Sequence, residues 1–160
     1  MKSDIIYKEA MILPLFVEIV IGFIVAVIAY NLIHYFFITR PIDKGHNQTL
    51  KILNGLVNNL LEKEKNEIIE VHDLSNIWGR NIYAFEYVIS KCQTDESNDE
   101  LINQIKEAID EANQSKRFNH EVVLTDSFVR DNQVHVDLAY LLNAATYEYV
   151  LDMRQLNKVN

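Results

Sequence analysis

Residues 12–38 read ILPLFVEIVIGFIVAVIAYNLIHYFFI, and this stretch divides the chain into two unlike parts. Within it only Glu18 and His34 bring an acidic or imidazole side chain. As a helix the run would reach roughly 40 Å, more than the ~30 Å hydrocarbon layer of a bilayer. That is enough for one crossing with tilt or interfacial ends, and too little for two. A cleaved signal peptide has an apolar region of about 7–15 residues followed by a small-residue site. This run is longer and closes on the bulky Tyr35-Phe36-Phe37. The reading is a permanent transmembrane helix over residues 12–40, preceded by a short tail over 1–11.

The aromatic end suits the headgroup layer, and Pro41 predicts the helix stop. Lys2 and Lys8 precede the span, whereas Arg40, Lys44 and Lys51 follow it. That small excess points to a single-pass protein of the cell inner membrane with a cytoplasmic C-terminal domain. Inside the span, a carboxylate at Glu18 needs water, a partner or a proton. Glu18, Gly22, Ala26 and Ala29 fall along one helical face, where small residues permit close approach of another helix. This face reads as a contact between copies, or as a polar residue near the headgroups with small neighbours.

Outward from the span, charge accumulates. After Arg40 there are 12 basic and 20 acidic residues, so this part carries the whole formal charge of −8. Such a domain is a poor binder of duplex nucleic acid, whose affinity comes from neutralised phosphates. It is also a poor candidate for broad adhesion to anionic lipid. A single cysteine, Cys92, excludes an intrachain disulfide.

Residues 41–66 read as a polar connector and an amphipathic coupling helix. Leu50, Leu53, Val57 and Leu60 follow a 3-4-3 spacing, as the seam of a short coiled coil would. Leu56 and Leu61 widen the stripe, so packing onto the protein's own domain fits equally. Residues 67–160 then form the soluble domain. DLSNIWGRNIYAFEYVISKC (73–92) predicts helix, in one piece or in two around Gly79, with Ile82, Phe85 and Ile89 at helical spacing. QTDESNDE (93–100) reads as a polar loop that caps a helix carrying Leu101, Ile102, Ile105, Ala108, Ile109 and Ala112. EVVLTDSFV and QVHVDL, divided by Arg130-Asp131-Asn132, predict a β-hairpin over about 121–137. In the last segment Leu138, Leu141, Leu142, Ala145 and Tyr149 predict a helical face, with a strand over 147–153 as the alternative. The class is α+β, mostly helical: one transmembrane helix and a small soluble domain with a β-hairpin.

No catalytic or metal-binding constellation emerges. His135-Val136-Asp137 places two ligand-type side chains on one strand face, yet a metal site needs a third. Cys92 ends an apolar pattern, and Ser75, Thr125 and Ser127 lack the context of a nucleophile. The chain reads as a binding protein without a cofactor rather than an enzyme. The residues suited to an anionic ligand are Arg80, Lys116, Arg117, Arg130 and Arg154, with Trp78 as a stacking surface.

The order of anchor, coupling helix LKILNGLVNNLLEK and soluble remainder resembles the membrane-bound effectors of type III CRISPR systems. That resemblance is one of layout and carries no position-by-position motif. It implies an antiviral defence effector, tetrameric, whose cytoplasmic domain binds cyclic tetra-adenylate, a cyclic oligoadenylate, and whose membrane segment then perturbs the lipid. The second reading is an anchored scaffold or accessory subunit that binds a protein partner.

Overall fold

The computed structural model describes residues 2–64, 66–90 and 98–159, with side chains over 14–62, 66–90 and 98–158. The chain divides into two compact units, Met1–Pro41 and Ile42–Asn160.

The first unit is helical. α1 runs Lys2–His34 with Pro14 inside it, so the expected tail is helical from residue 2. A π-helical turn follows at Tyr35–Thr39, and α2 spans Arg40–Glu64. The large apolar side chains from Leu15 to Ile38 are exposed, and the most apolar window is unburied within the protein. This helix is long and apolar enough to cross a membrane. The expected stop at Pro41, and the polar connector after it, are corrected: helix continues through both. Proline lacks an amide proton, and its ring crowds the carbonyl four residues back. Here the preceding turn is widened, with the Arg40 N–H donating to the Tyr35 carbonyl five residues earlier. A π turn loosens the hydrogen-bond ladder where Pro41 would otherwise collide with it.

The second unit is built on a four-stranded antiparallel sheet, β1 (Glu67–Asp73), β2 (Ala84–Ser90), β3 (Val122–Arg130) and β4 (Gln133–Tyr140), in the order β1-β2-β4-β3. The helical reading of residues 73–92 is therefore overturned. A four-residue helix, α3 (Ser75–Trp78), lies between β1 and β2, and AFEYVIS is a central strand. Phe85, Tyr87 and Ile89 are buried on one face and Ala84 and Val88 on the other. A strand buried on both sides shows no polar alternation, so its apolar residues also fit a helical template.

α2 and α4 (Asn98–Gln114) supply the apolar groups that pack with Tyr87, Ile89, Val134, Val136 and Leu138. Leu53, Leu56, Val57 and Leu61 of α2 are buried in this core, with Leu50 and Leu60 partly buried. Of the two readings of the leucine stripe, packing on the protein's own domain is the one realised. The α4 face is as expected, with Ala108 only partly buried. Gly45 lets α2 lie close to the sheet, because a Cβ there would meet the Tyr83 ring at 2.7 Å. The hairpin is confirmed and longer than expected, reaching Tyr140. Its turn places Asp131 and Asn132 at φ 50° and 61°, the left-handed pair that a two-residue hairpin turn requires. Leu138 thus belongs to β4, and the last element is helix α5 (Ala144–Val159), not a strand. α5 buries Tyr149, Val150 and Met153 with Ala84 and Ala139 on the opposite, outer face of the sheet. Cys92 and most of the polar loop lie outside the described residues.

Because Leu53 is a core residue, Leu53→Ala should destabilise the domain by about 2–5 kcal/mol. Asn58→Ala, on the exposed side of α2, should change it by less than about 0.5 kcal/mol. Thermal unfolding of the full chain in detergent, followed by circular dichroism, checks both. Loss of oligomer mass without loss of stability in Leu53→Ala would instead favour the seam reading.

Candidate functional site

Strand register brings together side chains far apart in sequence. Across the outer face, His72 of β1 is opposite Glu86 of β2, Glu86 is opposite Asp137 of β4, and Asp137 is opposite Asp126 of β3. Three carboxylates thus stand side by side on adjacent strands, an arrangement in which like charges repel. The neighbouring row reads Glu70, Val88, His135, Phe128.

Local contacts relieve two of the three. The Nδ1 of His135 lies 2.8 Å from the Oε1 of Glu86, and the Phe128 ring stacks on the imidazole at 4.6 Å. The Ser127 N–H donates to the Oδ1 of Asp126 at 2.8 Å. Asp137 is left without such help. Its Oδ1 is buried and has no hydrogen-bond partner among the described residues. Burial first, then the charges on Glu86 and Asp126, push its carboxyl up to about 7. A group with that value exchanges its proton near neutrality. α5 borders the row: the Tyr149 hydroxyl lies 3.5 Å from the Thr125 Oγ1, and the Asn157 Nδ2 donates to the Thr125 carbonyl. Phe128 is 40% exposed, so its ring, stacked on His135, remains accessible beside the acidic row.

A second polar cluster lies where α2 meets the β1–β2 connection. The Nε2 of His46 donates to the Arg80 carbonyl at 2.9 Å, in the tautomer that carries a proton there. Its Nδ1 is 3.1 Å from the Oδ2 of Asp73, at ion-pair distance but off the line of a directed hydrogen bond. Asp73 also accepts the Ser75 N–H. Ile42, Asp43, His46, Asn47, Asn76 and Arg80 border an open groove of about 310 Å³, at the small end of the range for ligand sites.

The sequence-derived ligand residues do not converge within one chain. Arg80 borders the His46 groove, whereas Arg117 lines a different one of about 220 Å³ with Leu56 and Leu60 of α2. Arg117 lies over the Phe118 ring at 5.5 Å, and Lys116 occupies a left-handed position just before it. Arg130 is at the hairpin turn, 3.7 Å from the Asp131 carboxylate and at the opposite end of the sheet from Arg80. Arg154 is exposed on α5, and Trp78 is half exposed in α3, 5.5 Å from the Tyr149 ring. Glu18, Gly22, Ala26 and Ala29 all lie in α1, and open space surrounds a Cβ built on Gly22. His135 and Asp137 share a face as expected, but no described group of three ligand-type side chains could hold a metal. The roles of Glu86, Asp126 and His46 escaped sequence reading. The one available signal was Glu86, a lone charge within AFEYVIS.

No protein-family model, no curated protein and no solved structure matches this chain.

For Asp137 the unfolded carboxyl keeps the ordinary value of 3.8, and the folded one is raised to about 7. Over that interval the unfolded state gives up the proton first, so stability falls as pH rises from one value to the other. Asp137→Asn should remove this part of the slope and raise the melting temperature at pH about 8 more than at pH about 5. Calorimetry of the two full-length chains at both pH values checks it.

Proposed function

We propose that this chain is a membrane-anchored binding protein, an accessory or scaffold subunit whose folded domain receives a basic segment of a protein partner. The α1 helix crosses the bilayer once, and the domain stands on the cytoplasmic side, the side favoured by Arg40, Lys44 and Lys51. The observation that carries this reading is the outer sheet face. Glu86, Asp137 and Asp126 are held opposite one another despite their repulsion, beside the exposed Phe128 ring. Functional sites are places where proteins break such local rules at a cost in stability. Lysine or arginine from a partner would supply the missing counter-charge, and Phe128 an apolar anchor.

Neither groove described above is lined by Glu86, His135 or Asp137, which favours surface docking over chemistry on an enclosed substrate. The cyclic tetra-adenylate reading requires several cations at one place. In a single chain Arg80, Arg117 and Arg130 are dispersed, so that reading depends on an oligomer to gather them.

A photo-crosslinking residue placed at Phe128, with Glu148 as a control position, tests the proposal on the full chain in its native membrane. The expected result is a discrete adduct with another polypeptide from position 128 only, lost in Glu86→Gln/Asp126→Asn. Equal labelling from both positions would contradict it. In parallel, the full chain in nanodiscs should keep its melting temperature when cyclic tetra-adenylate is added. A selective ligand at a hundredfold excess over its dissociation constant would add about 2.7 kcal/mol, and that outcome would replace the scaffold with the messenger receptor.

A further inference from the structure

Of the three carboxylates in the outer row, two are engaged and one is not. Glu86 lies against the His135 imidazole, and Asp126 accepts the Ser127 N–H. Asp137 stands between them on the central strand β4, and its buried Oδ1 has no partner among the described residues. A buried carboxylate oxygen that accepts no hydrogen bond is costly when charged, and a proton relieves it. The residue as a whole is only partly buried, so its carboxyl is not sealed from a group lying on the row.

The elements packed around Asp137 bring it no positive charge. β2 presents Glu86 and β3 presents Asp126, at directly opposing register positions. On β4 itself, His135 lies two residues away and is turned to Glu86; His72, one strand further out, is turned to Glu70. From α5 comes the Tyr149 hydroxyl beside Thr125. Burial raises that hydroxyl most, the Thr125 hydrogen bond lowers it, and Asp137 and Asp126 raise it again. The charged side chains of α5, Glu148, Asp152, Arg154 and Lys158, are exposed. Among the described residues, no lysine or arginine forms an ion pair with Glu86, Asp126 or Asp137.

We propose that a basic partner segment displaces a proton from Asp137 as it docks on this row, so that docking strengthens as pH rises through neutrality. This coupling presupposes the docking surface proposed above and adds its regulation. In the undocked chain the proton neutralises Asp137. The incoming ammonium or guanidinium takes over that task, and the proton leaves to water. Because the carboxyl is pushed up to about 7, its ionised share rises from about one-tenth at pH about 6 to about nine-tenths at pH about 8. Lysine and arginine of a partner stay charged over that interval. Docking that needs the ionised form should therefore tighten by up to about tenfold across it.

The full chain carrying the photo-crosslinking residue at Phe128 is solubilised from its native membrane. The extract is diluted serially at pH about 6 and at pH about 8 before irradiation. The dilution that halves the adduct reads the affinity without the partner having been identified. The expected result is an adduct that survives up to about tenfold further dilution at the higher pH. In Asp137→Asn that difference should disappear. A second measurement needs no partner: in infrared spectra of the full chain in detergent, a protonated-carboxyl band should fade through neutrality and be missing from Asp137→Asn. Equal dilutions at both pH values, a pH dependence that survives Asp137→Asn, or the lack of such a band overturns the coupling and leaves the docking surface standing. No adduct from position 128 at either pH overturns the docking reading and the coupling with it.

Discussion

An apolar helix whose large side chains lie exposed among the described residues constrains the rest of this structure. The large side chains from Leu15 to Ile38 are exposed along α1, and each would favour a nonaqueous environment by roughly 1.5–3 kcal/mol. A bilayer is the environment that fits the length of the run. The second unit draws its apolar packing from the residues from Ile42 onward, in one cluster on each face of the sheet. α2 contributes by placing Leu53, Leu56, Val57 and Leu61 in the core within a few turns of Pro41. The π turn at Tyr35–Thr39 allows helix to continue through a residue that would normally end it.

The sheet's two faces divide the remaining work. The inner face is closed by α2 and α4 and carries the larger apolar core. The outer face is covered by α5 around Ala84 and Ala139, and toward the hairpin turn it becomes polar. The carboxylate row stands at that boundary, with Tyr149 and Asn157 of α5 beside it at Thr125. The same burial that makes the core stable is what raises the Asp137 carboxyl. The surface proposed for docking and a carboxyl raised by burial therefore share one piece of geometry.

How much of this could be read in advance depended on whether a signal was local. The apolar run, the α4 face and the hairpin depend on neighbours in sequence, and each was legible. β2 was not, because Phe85, Tyr87 and Ile89 pack on one face while Ala84 and Val88 are buried on the other. Once polar alternation is lost, Ile82, Phe85 and Ile89 satisfy a helical template as well as a strand. The leucine stripe of α2 was legible as a stripe but did not name its partner. The candidate site fared similarly. Arg80, Arg117 and Arg130 are individually visible, but their separation depends on topology. Glu86, Asp126 and Asp137 become a row only through a register that no single-sequence pattern reports. Nor does the sequence show Ile77 and Trp78 as exposed, since the same residues suit a core.

The function proposed for this chain requires that α1 cross a membrane with the domain in the cytoplasm. Topology reporters fused at either end of the full chain, one active only in the cytoplasm and one only outside it, test this most directly. A single crossing gives opposite answers from the two ends, with the C-terminal fusion cytoplasmic. Reporters placing both ends on the same side would contradict a single crossing and remove the anchor on which the rest depends.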